Sequence, residues 1–401
     1  MEPKIRFKGF EGEWKTSTIG DFTTSFSGGT PTAGASEFYG GNIPFIRSGE
    51  IHESKTELFL TEAGLNNSSA KVVEKGTLLY ALYGATSGEV GISKIRGAIN
   101  QAILAIYPNK TVDKRFLANY LQSHKQKIVG ELLQGGQGNL SGALVKSISV
   151  TYPNNREQQT ISDYVDSLDS QISAATSRLA SLKQMKAASL QAMFPQEGET
   201  VPKIRFKGFE GEWKKVKLGD IAKFTKGQGY SKSDLKETGQ PIILYGRMYT
   251  KYQFVIGEVD TFANLKDASI LSEGDEIIMP ASGETPEDIA CASAVLVKDI
   301  ILGGDLNIMH FDLTKISTPY IALVITYSKT HHDLSKCAQG KSVVHLHNGA
   351  ISRATISLPS LAEQQAIASY FTSLDRQISL QSQRLEKLKQ IKSACLDKMF
   401  V

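Results

Sequence analysis

The sequence predicts an α+β chain of two mixed α/β modules joined by a pair of long antiparallel coiled-coil-like helices, a dumbbell with a pseudo-two-fold axis. Three observations carry this. The segment "PKIRFKGFEGEWK" stands at positions 3–15 and returns letter for letter at 202–214. A second repeat, "REQQTISDYVDSLDSQISAATSRLASLKQMKAASLQAMF" (156–194), aligns without gaps to "AEQQAIASYFTSLDRQISLQSQRLEKLKQIKSACLDKMF" (362–400), with 21 identities in 39 positions. Between each opener and its closer lies a segment, about 16–152 and 215–358, that shares little with its counterpart. Repeats of this kind decide an architecture before any local pattern does. Like frames around unlike inserts mean that the inserts answer different demands.

The openers come first. Ile5 and Phe7 alternate with Lys4, Arg6 and Lys8, which predicts a strand with a charged outer face. Gly9 and Gly12 mark turns, and Trp14 and Trp213 read as structural anchors pinning each module rather than as ligand contacts.

Within the modules, short apolar runs at 76–84, 100–108, 241–246 and 275–283 predict strands, and 114–133 and 318–330 predict helices. Gly-rich polar stretches lie between them: "SGGTPTAGASEFYGGN", "YGATSGE", "LQGGQGN", "KGQGYSKS" and "AQGKSVVHLHNG".

The closers carry five heptads each. Their predicted seam is Ile161, Val165, Leu168, Ile172, Leu179, Leu182 and Met193 in the first copy. In the second it is Ile367, Phe371, Leu374, Ile378, Leu385, Leu388 and Met399. Neither copy has an internal Gly or Pro, so long helices follow. Lys186, Lys392 and Gln381 are polar interruptions that can set register or face a partner. Each helix is roughly 55–60 Å long at 1.5 Å per residue. The linker "PQEGETV" spans at most about 25 Å. The second module therefore starts at the far end of helix one, and helix two buries its seam by running back. The predicted division is 1–155, helix 156–194, linker 195–201, 202–361 and helix 362–401.

Composition is that of an ordinary globular chain, 41% hydrophobic and 21% charged. No apolar run of about 18 residues spans a membrane, and "MEPKIRF" lacks a secretory layout. Cys291, Cys337 and Cys395 are too few and too scattered for a disulfide framework or a zinc site, which points to a reducing cytoplasm. A net charge of +4 permits nucleic-acid binding without requiring it.

Catalytic signatures fail. "AQGKS" (338–342) has Ser335 where a P-loop needs its first glycine, and "GQGYSK" (227–232) lacks the last glycine of a dinucleotide fingerprint. His345, His347, His331 and His332 have no metal-ligand spacing, so no metal site is assigned. No nucleophile elbow and no base-flipping methyltransferase motif is present.

The polar loops do hold the residue types that read base edges and grip phosphates. In the first module these are Thr30, Thr32, Tyr39, Arg47, Ser48, Tyr83, Thr86, Ser87, Asn100, Gln101, Gln137 and Asn139. In the second they are Lys226, Gln228, Tyr230, Lys232, Tyr245, Arg247, Tyr249, Lys251, Ser282, Gln339, Lys341, His345 and His347. Any one of them alone also suits a solvated loop; the pattern is collective.

The duplicated "GFEGEW" followed by "IGDF" or "LGDI", the "SGGTP…GGNIPFIRSGEI" start of the first module and the "P…EQQ.I…….LD.QI" closers together resemble the specificity subunit of type I restriction-modification systems, over almost the whole chain. The resemblance implies two target-recognition domains that each read one part of a split double-stranded DNA site, with the helices as spacer. It implies two modification (methyltransferase) subunits docked on the helices and restriction (endonuclease and translocase) subunits beyond them. S-adenosylmethionine, ATP and magnesium are then expected on those partners and no cofactor on this chain, in a bacterial or archaeal cytoplasm. One departure is visible: "KGQGYSKSD" (226–234) replaces "GGTP" in the second module. Two other readings compete, a two-module protein-binding adaptor and an enzyme with an unfamiliar site.

Overall fold

The computed structural model describes residues 2–132, 139–340 and 343–401. It divides into two compact units, Met1–Thr176 with Arg384–Val401, and Ser177–Gln383. Each unit holds one module, the first part of that module's closer and the last part of the other closer.

In unit one, β1 (Lys15–Thr18) pairs antiparallel with β10 (Ser149–Tyr152), which brings the two ends of the module together. One sheet has the order β2 (Thr23–Ser27), β9 (Ile103–Pro108), β6 (Leu78–Ala81), β7 (Val90–Ile92), all antiparallel. The second has the order β4 (Leu58–Leu60), β3 (Tyr39–Ile46), β8 (Gly97–Ile99), β5 (Lys71–Val73), with β3 and β8 parallel. Every residue of β6 is buried, as an unbroken apolar run on a central strand requires. The predicted helix 114–133 forms as Lys114–Ser123 and Lys125–Leu132. It breaks at His124, whose ring lies at 3.0 Å from the Tyr120 carbonyl oxygen and stacks on the Tyr120 ring.

Unit two repeats this plan with different residues. Here β11 (Lys214–Lys217) pairs with β23 (Thr355–Leu358). The larger sheet runs β12 (Ala222–Lys226), β21 (Leu306–Phe311), β17 (Glu276–Pro280), β19 (Ser293–Val295), β15 (Val255–Ile256). The smaller runs β13 (Leu235–Lys236), β16 (Phe262–Ala263), β14 (Gln240–Ile243), β20 (Ile301–Leu302), with β14 and β20 parallel. A third pairing joins β18 (Ser282–Gly283) to β22 (Val344–His345). The order β2-β9-β6-β7 thus recurs as β12-β21-β17-β19, and the parallel pair β3 and β8 recurs as β14 and β20. Sheets need apolar, β-branched residues at the right alternation and not particular side chains, so two dissimilar sequences reach one topology. The predicted helix 318–330 ends at Tyr327, and Ser328 caps a second helix, Lys329–Ser335.

The long helices are Asn155–Ala192 and Leu361–Lys398. In both units they pass antiparallel. In unit one, Ile161 shares a core with Met399 and Phe400, and Lys392 is paired to Asp169 at 2.5 Å. In unit two, Ile367 and Phe371 share a core with Met193 and Phe194, and Lys186 pairs with Asp375 at 2.6 Å. Every predicted seam residue is buried or half-buried, whereas Met185 and Leu380, off the seam, are exposed. The lysines in the seam are register pins: each reaches an aspartate one helix away, and Lys186 also lies 5.5 Å from the Tyr327 ring.

The opener is corrected. It forms bends and turns rather than a strand, and β1 begins only at Lys15. Ile5 is exposed while Arg6 turns inward. Arg6 donates from Nε and Nη2 to the Glu157 carboxylate at 2.7 and 2.8 Å, and from Nη1 to the Gly12 carbonyl at 2.8 Å. Arg205 makes the same set with Glu363 (2.6 and 2.7 Å) and Gly211 (2.7 Å). Gly9 and Gly12 have φ of +93° and +87°, so these turns need a residue without Cβ. The neighbouring Gln158 accepts from the Asp113 N–H and donates to the Thr111 and Pro153 carbonyls; Gln364 does the same with Ser317, Lys315 and Pro359. The "EQQ" of each closer is therefore a socket: its Glu holds the opener and its first Gln holds the module.

Candidate nucleic-acid interface

Strand register places the module-one loops on one edge. Ser27, ending β2, faces Leu104; Ala81, ending β6, faces Ile103; and Ile46, ending β3, lies beside Ile99, ending β8. Backbone hydrogen bonds tie the loops that follow: Gly29 N–H to Ile99 O (3.2 Å), Asn100 N–H to Ile46 O (3.3 Å), Leu82 N–H to Ala102 O (2.8 Å) and Leu140 N–H to Leu82 O (3.0 Å). Thr30, Arg47, Ser48, Tyr83, Thr86, Asn100, Gln101 and Asn139 all stand on these loops. The Thr30 hydroxyl donates to the Gln101 side-chain oxygen, and the Tyr39 hydroxyl holds the Thr32 loop through the Pro31 carbonyl at 3.0 Å.

Module two builds the same edge. Lys226 faces Asn307, Pro280 faces Leu306, and Ile243 lies beside Leu302. Gln228 N–H bonds Leu302 O (3.2 Å), Gly303 N–H bonds Ile243 O (2.9 Å) and Leu346 N–H bonds Ala281 O (2.9 Å). Gln339 and His345 exchange backbone bonds, and the His345 and His347 rings are parallel at 6.2 Å. Exposed Lys226, Gln228, Gln339, His345 and His347 thereby share one face with half-buried Tyr245 and Tyr249, whose rings are 6.2 Å apart. Lys232 is exposed nearby, and Lys251 is paired with Asp260. Gln137 and Lys341 lie outside the described residues.

Four of the residues read as base or phosphate contacts turn inward in this structure. Ser87 is buried and donates to the Leu82 carbonyl. Ser282 is buried in the β18–β22 pairing. Tyr230 is buried, and its hydroxyl bonds Ser269 and the Asn264 carbonyl, so it locks a loop from inside. The Arg247 side chain is only 9% exposed, and Asp260, Gln253 and the Glu258 carbonyl take up its terminal nitrogens. A loop residue's type is visible in sequence, but its direction follows from packing. Trp14 and Trp213 are both buried, edge-on to Phe116 at 6.0 Å and to Tyr320 at 6.1 Å, with indole N–H groups that find no partner among the described residues. Among those residues the His and carboxylate group compact enough for a metal is Glu273, Asp275 and His310, and the four histidines singled out above are not in it. No helix among the described residues is long and apolar enough to cross a membrane.

The geometry also exposes residues the sequence did not. Gly28 and Gly227 sit where the first loop leaves the sheet; a Cβ there would lie 1.8 Å from the Ile99 carbonyl oxygen and 1.9 Å from that of Gly303. Both approach backbone, which cannot rotate away. Gly28→Ala is expected to destabilise unit one by about 1–3 kcal/mol through overpacking and to displace the Thr30 loop. Denaturant titration checks the first effect, and amide exchange at Gly29 and Thr30 checks the second. Glu50 is a further missed residue, signalled only by its position three after Arg47. Burial pushes its carboxyl up, but the Arg47 guanidinium and the backbone N–H groups of Glu57 and Arg47 outweigh this and bring it down to about 2.

The comparisons agree with this architecture. The family model for the type I restriction modification DNA specificity domain matches residues 11–184 and 210–390. The type I restriction enzyme MjaVIII specificity subunit of Methanocaldococcus jannaschii is 19% identical, covering 96% of this chain and 91% of the relative. The MjaIX specificity subunit of the same organism is 24% identical over 96% and 92%. The crystal structure of the type I restriction-modification system S subunit from M. genitalium superposes with a TM-score of 0.65 at 16% identity, covering 100% of this chain and 99% of that one. With two copies of the domain covering most of its length, this chain belongs to the type I restriction-modification DNA specificity family.

Proposed function

We propose that the chain is the DNA specificity subunit of a type I restriction-modification complex, non-catalytic by itself, whose two modules each read one half of an asymmetric bipartite site in double-stranded DNA. The observation that carries the reading is the pair of equivalent loop edges: one strand topology presents Thr, Arg, Asn and Gln in module one and Lys, Gln, Tyr and His in module two. Equivalent edges with unlike side chains suit two different half-sites. The continuous long helices suit a spacer that fixes the gap between half-sites and docks two modification subunits. Methyl transfer to adenine from S-adenosylmethionine, and ATP- and magnesium-dependent cleavage, then belong to the modification and restriction subunits.

The test is selection and sequencing of randomised duplex DNA by the full chain in complex with a modification subunit. A split motif with a fixed gap is expected, with affinity that falls steeply as salt rises because phosphate contacts release counterions. Exchanging residues 16–152 for the module of a relative is expected to change one half-site and leave the other. No enriched motif, or changes in both halves, would refute the reading. Binding without salt dependence would favour the protein-binding adaptor.

A further inference from the structure

We propose that Arg47 reads a guanine in the half-site of module one, with Glu50 as its positioning residue and Glu57 as the group that the base displaces. This rests on the DNA-specificity reading above and deepens it by naming one base contact.

The argument is one of edges. A guanidinium has five N–H donors in a planar fork. One edge of Arg47, Nε and Nη2, is committed to Glu50 at 3.1 and 3.0 Å. Glu50 is itself held: its carboxylate accepts from the Arg47 N–H at 3.0 Å, the Glu57 N–H at 3.1 Å and the Thr56 hydroxyl at 3.2 Å. The single Thr56 proton is shared, mainly with the nearer Phe45 carbonyl on β3 at 2.7 Å. The Arg47 fork is therefore fixed to the sheet through a chain of bonds, and its rotamer is set in the free protein. Its other edge, Nη1 and Nη2, is different. Nη2 meets Glu57 at 2.5 Å, and Nη1 has no hydrogen bond among the described residues. Glu57 is 80% exposed, Arg47 40%, and Glu50 only 12%.

An oriented guanidinium with one open edge matches the O6 and N7 acceptors that guanine presents in the major groove, the commonest specific arginine contact. A solvated carboxylate standing at that edge can swing away at little cost, since exposed ion pairs are worth little. Glu50 cannot, because its half-buried side chain, only 12% exposed, is held by several hydrogen bonds at once. Location agrees: Ile46, next to Arg47, receives the Asn100 N–H, and the adjacent Gln101 bonds Thr30. Arg47 therefore stands among the loops of the common edge. Arg247 shows the contrast, with a nearly buried side chain and both terminal nitrogens engaged.

The experiment uses the full chain in complex with a modification subunit, comparing wild type with R47K, R47Q, E50Q and E57Q. Randomised duplex selection gives the motif, salt titration gives the number of phosphate contacts, and thermal melts check folding. R47K keeps the charge but loses the fork. It is expected to lose a guanine preference at one position of one half-site, by roughly 10- to 100-fold, with an unchanged salt slope. R47Q is expected to lose the same position, and E50Q to weaken it. E57Q is expected to retain the guanine and to bind as tightly as wild type or more so. A wild-type split motif that R47K and R47Q leave intact overturns this inference while sparing the specificity reading. A uniform loss across all positions with a shallower salt slope makes Arg47 a phosphate contact and also overturns it. No motif from wild type sinks the specificity reading itself.

Discussion

Phe194→Ala and Phe400→Ala are each expected to cost about 3–5 kcal/mol, the usual penalty for emptying a fully buried aromatic site. These residues close the "MF" of the two closers and lie just past the helix ends. Phe194 packs on Trp213, Tyr320 and Phe371 at ring distances of 6.5, 6.2 and 6.2 Å. Phe400 packs on Phe116 and Tyr120 at 5.2 and 6.2 Å. Each is thus a plug from one closer into the aromatic core of the opposite module's unit. The loss should be local: F194A should raise amide exchange in β17 and β21 while β6 and β9 keep their protection, and F400A should do the reverse. Wild-type exchange in both sheets would contradict the plug.

Breaking the socket is expected to cost nearly as much. In R6A the Glu157 carboxylate, 1% exposed, loses its bidentate partner and stays in a site built for an ion pair. Removing one member of a buried pair typically costs about 3–5 kcal/mol because the other charge is left uncompensated. R205A should act equally on Glu363, whose side chain is also 1% exposed. The double variant R6A/E157A should recover part of the loss, since no orphaned charge remains, and R6M/E157M more of it through packing. Denaturant midpoints of wild type, R6A, E157A and R6A/E157A close the cycle. A cost for R6A below about 1 kcal/mol, the range of a surface pair, would mean that the opener is held by its aromatic contacts alone.

The same two features mark where sequence reading worked and where it stopped. The closers were legible because helix pairing is periodic: Ile161, Leu168, Leu182 and their counterparts recur at heptad spacing, and every predicted seam residue is buried or half-buried. In the openers the alternation predicts a strand, whereas the segment forms bends and turns. Arg6 lies between Ile5 and Phe7 and yet is the inward residue, since its charge is neutralised by a carboxylate 151 positions away. No local pattern contains that partner. In the loops, residue type and direction separated for the same reason. Tyr230 and Thr30 look equally suited to a binding face, but Tyr230 is drawn under its loop by Ser269 and Asn264 while Thr30 stays outside.

By itself, the sequence determined that the chain has two halves, that each closes with a long helix, and that the framed segments differ. Repeats and heptads state these things over short distances. Only the tertiary structure decided that the unlike segments share one sheet topology, that their loops gather on one edge, and that the repeated phrase is clasped by the "EQQ" of its own closer. Those outcomes depend on groups far apart in the chain meeting at hydrogen-bond distance, and on which of them the core pulls in. Burial and charge pairing are set by the whole packed chain, and no window of residues carries them.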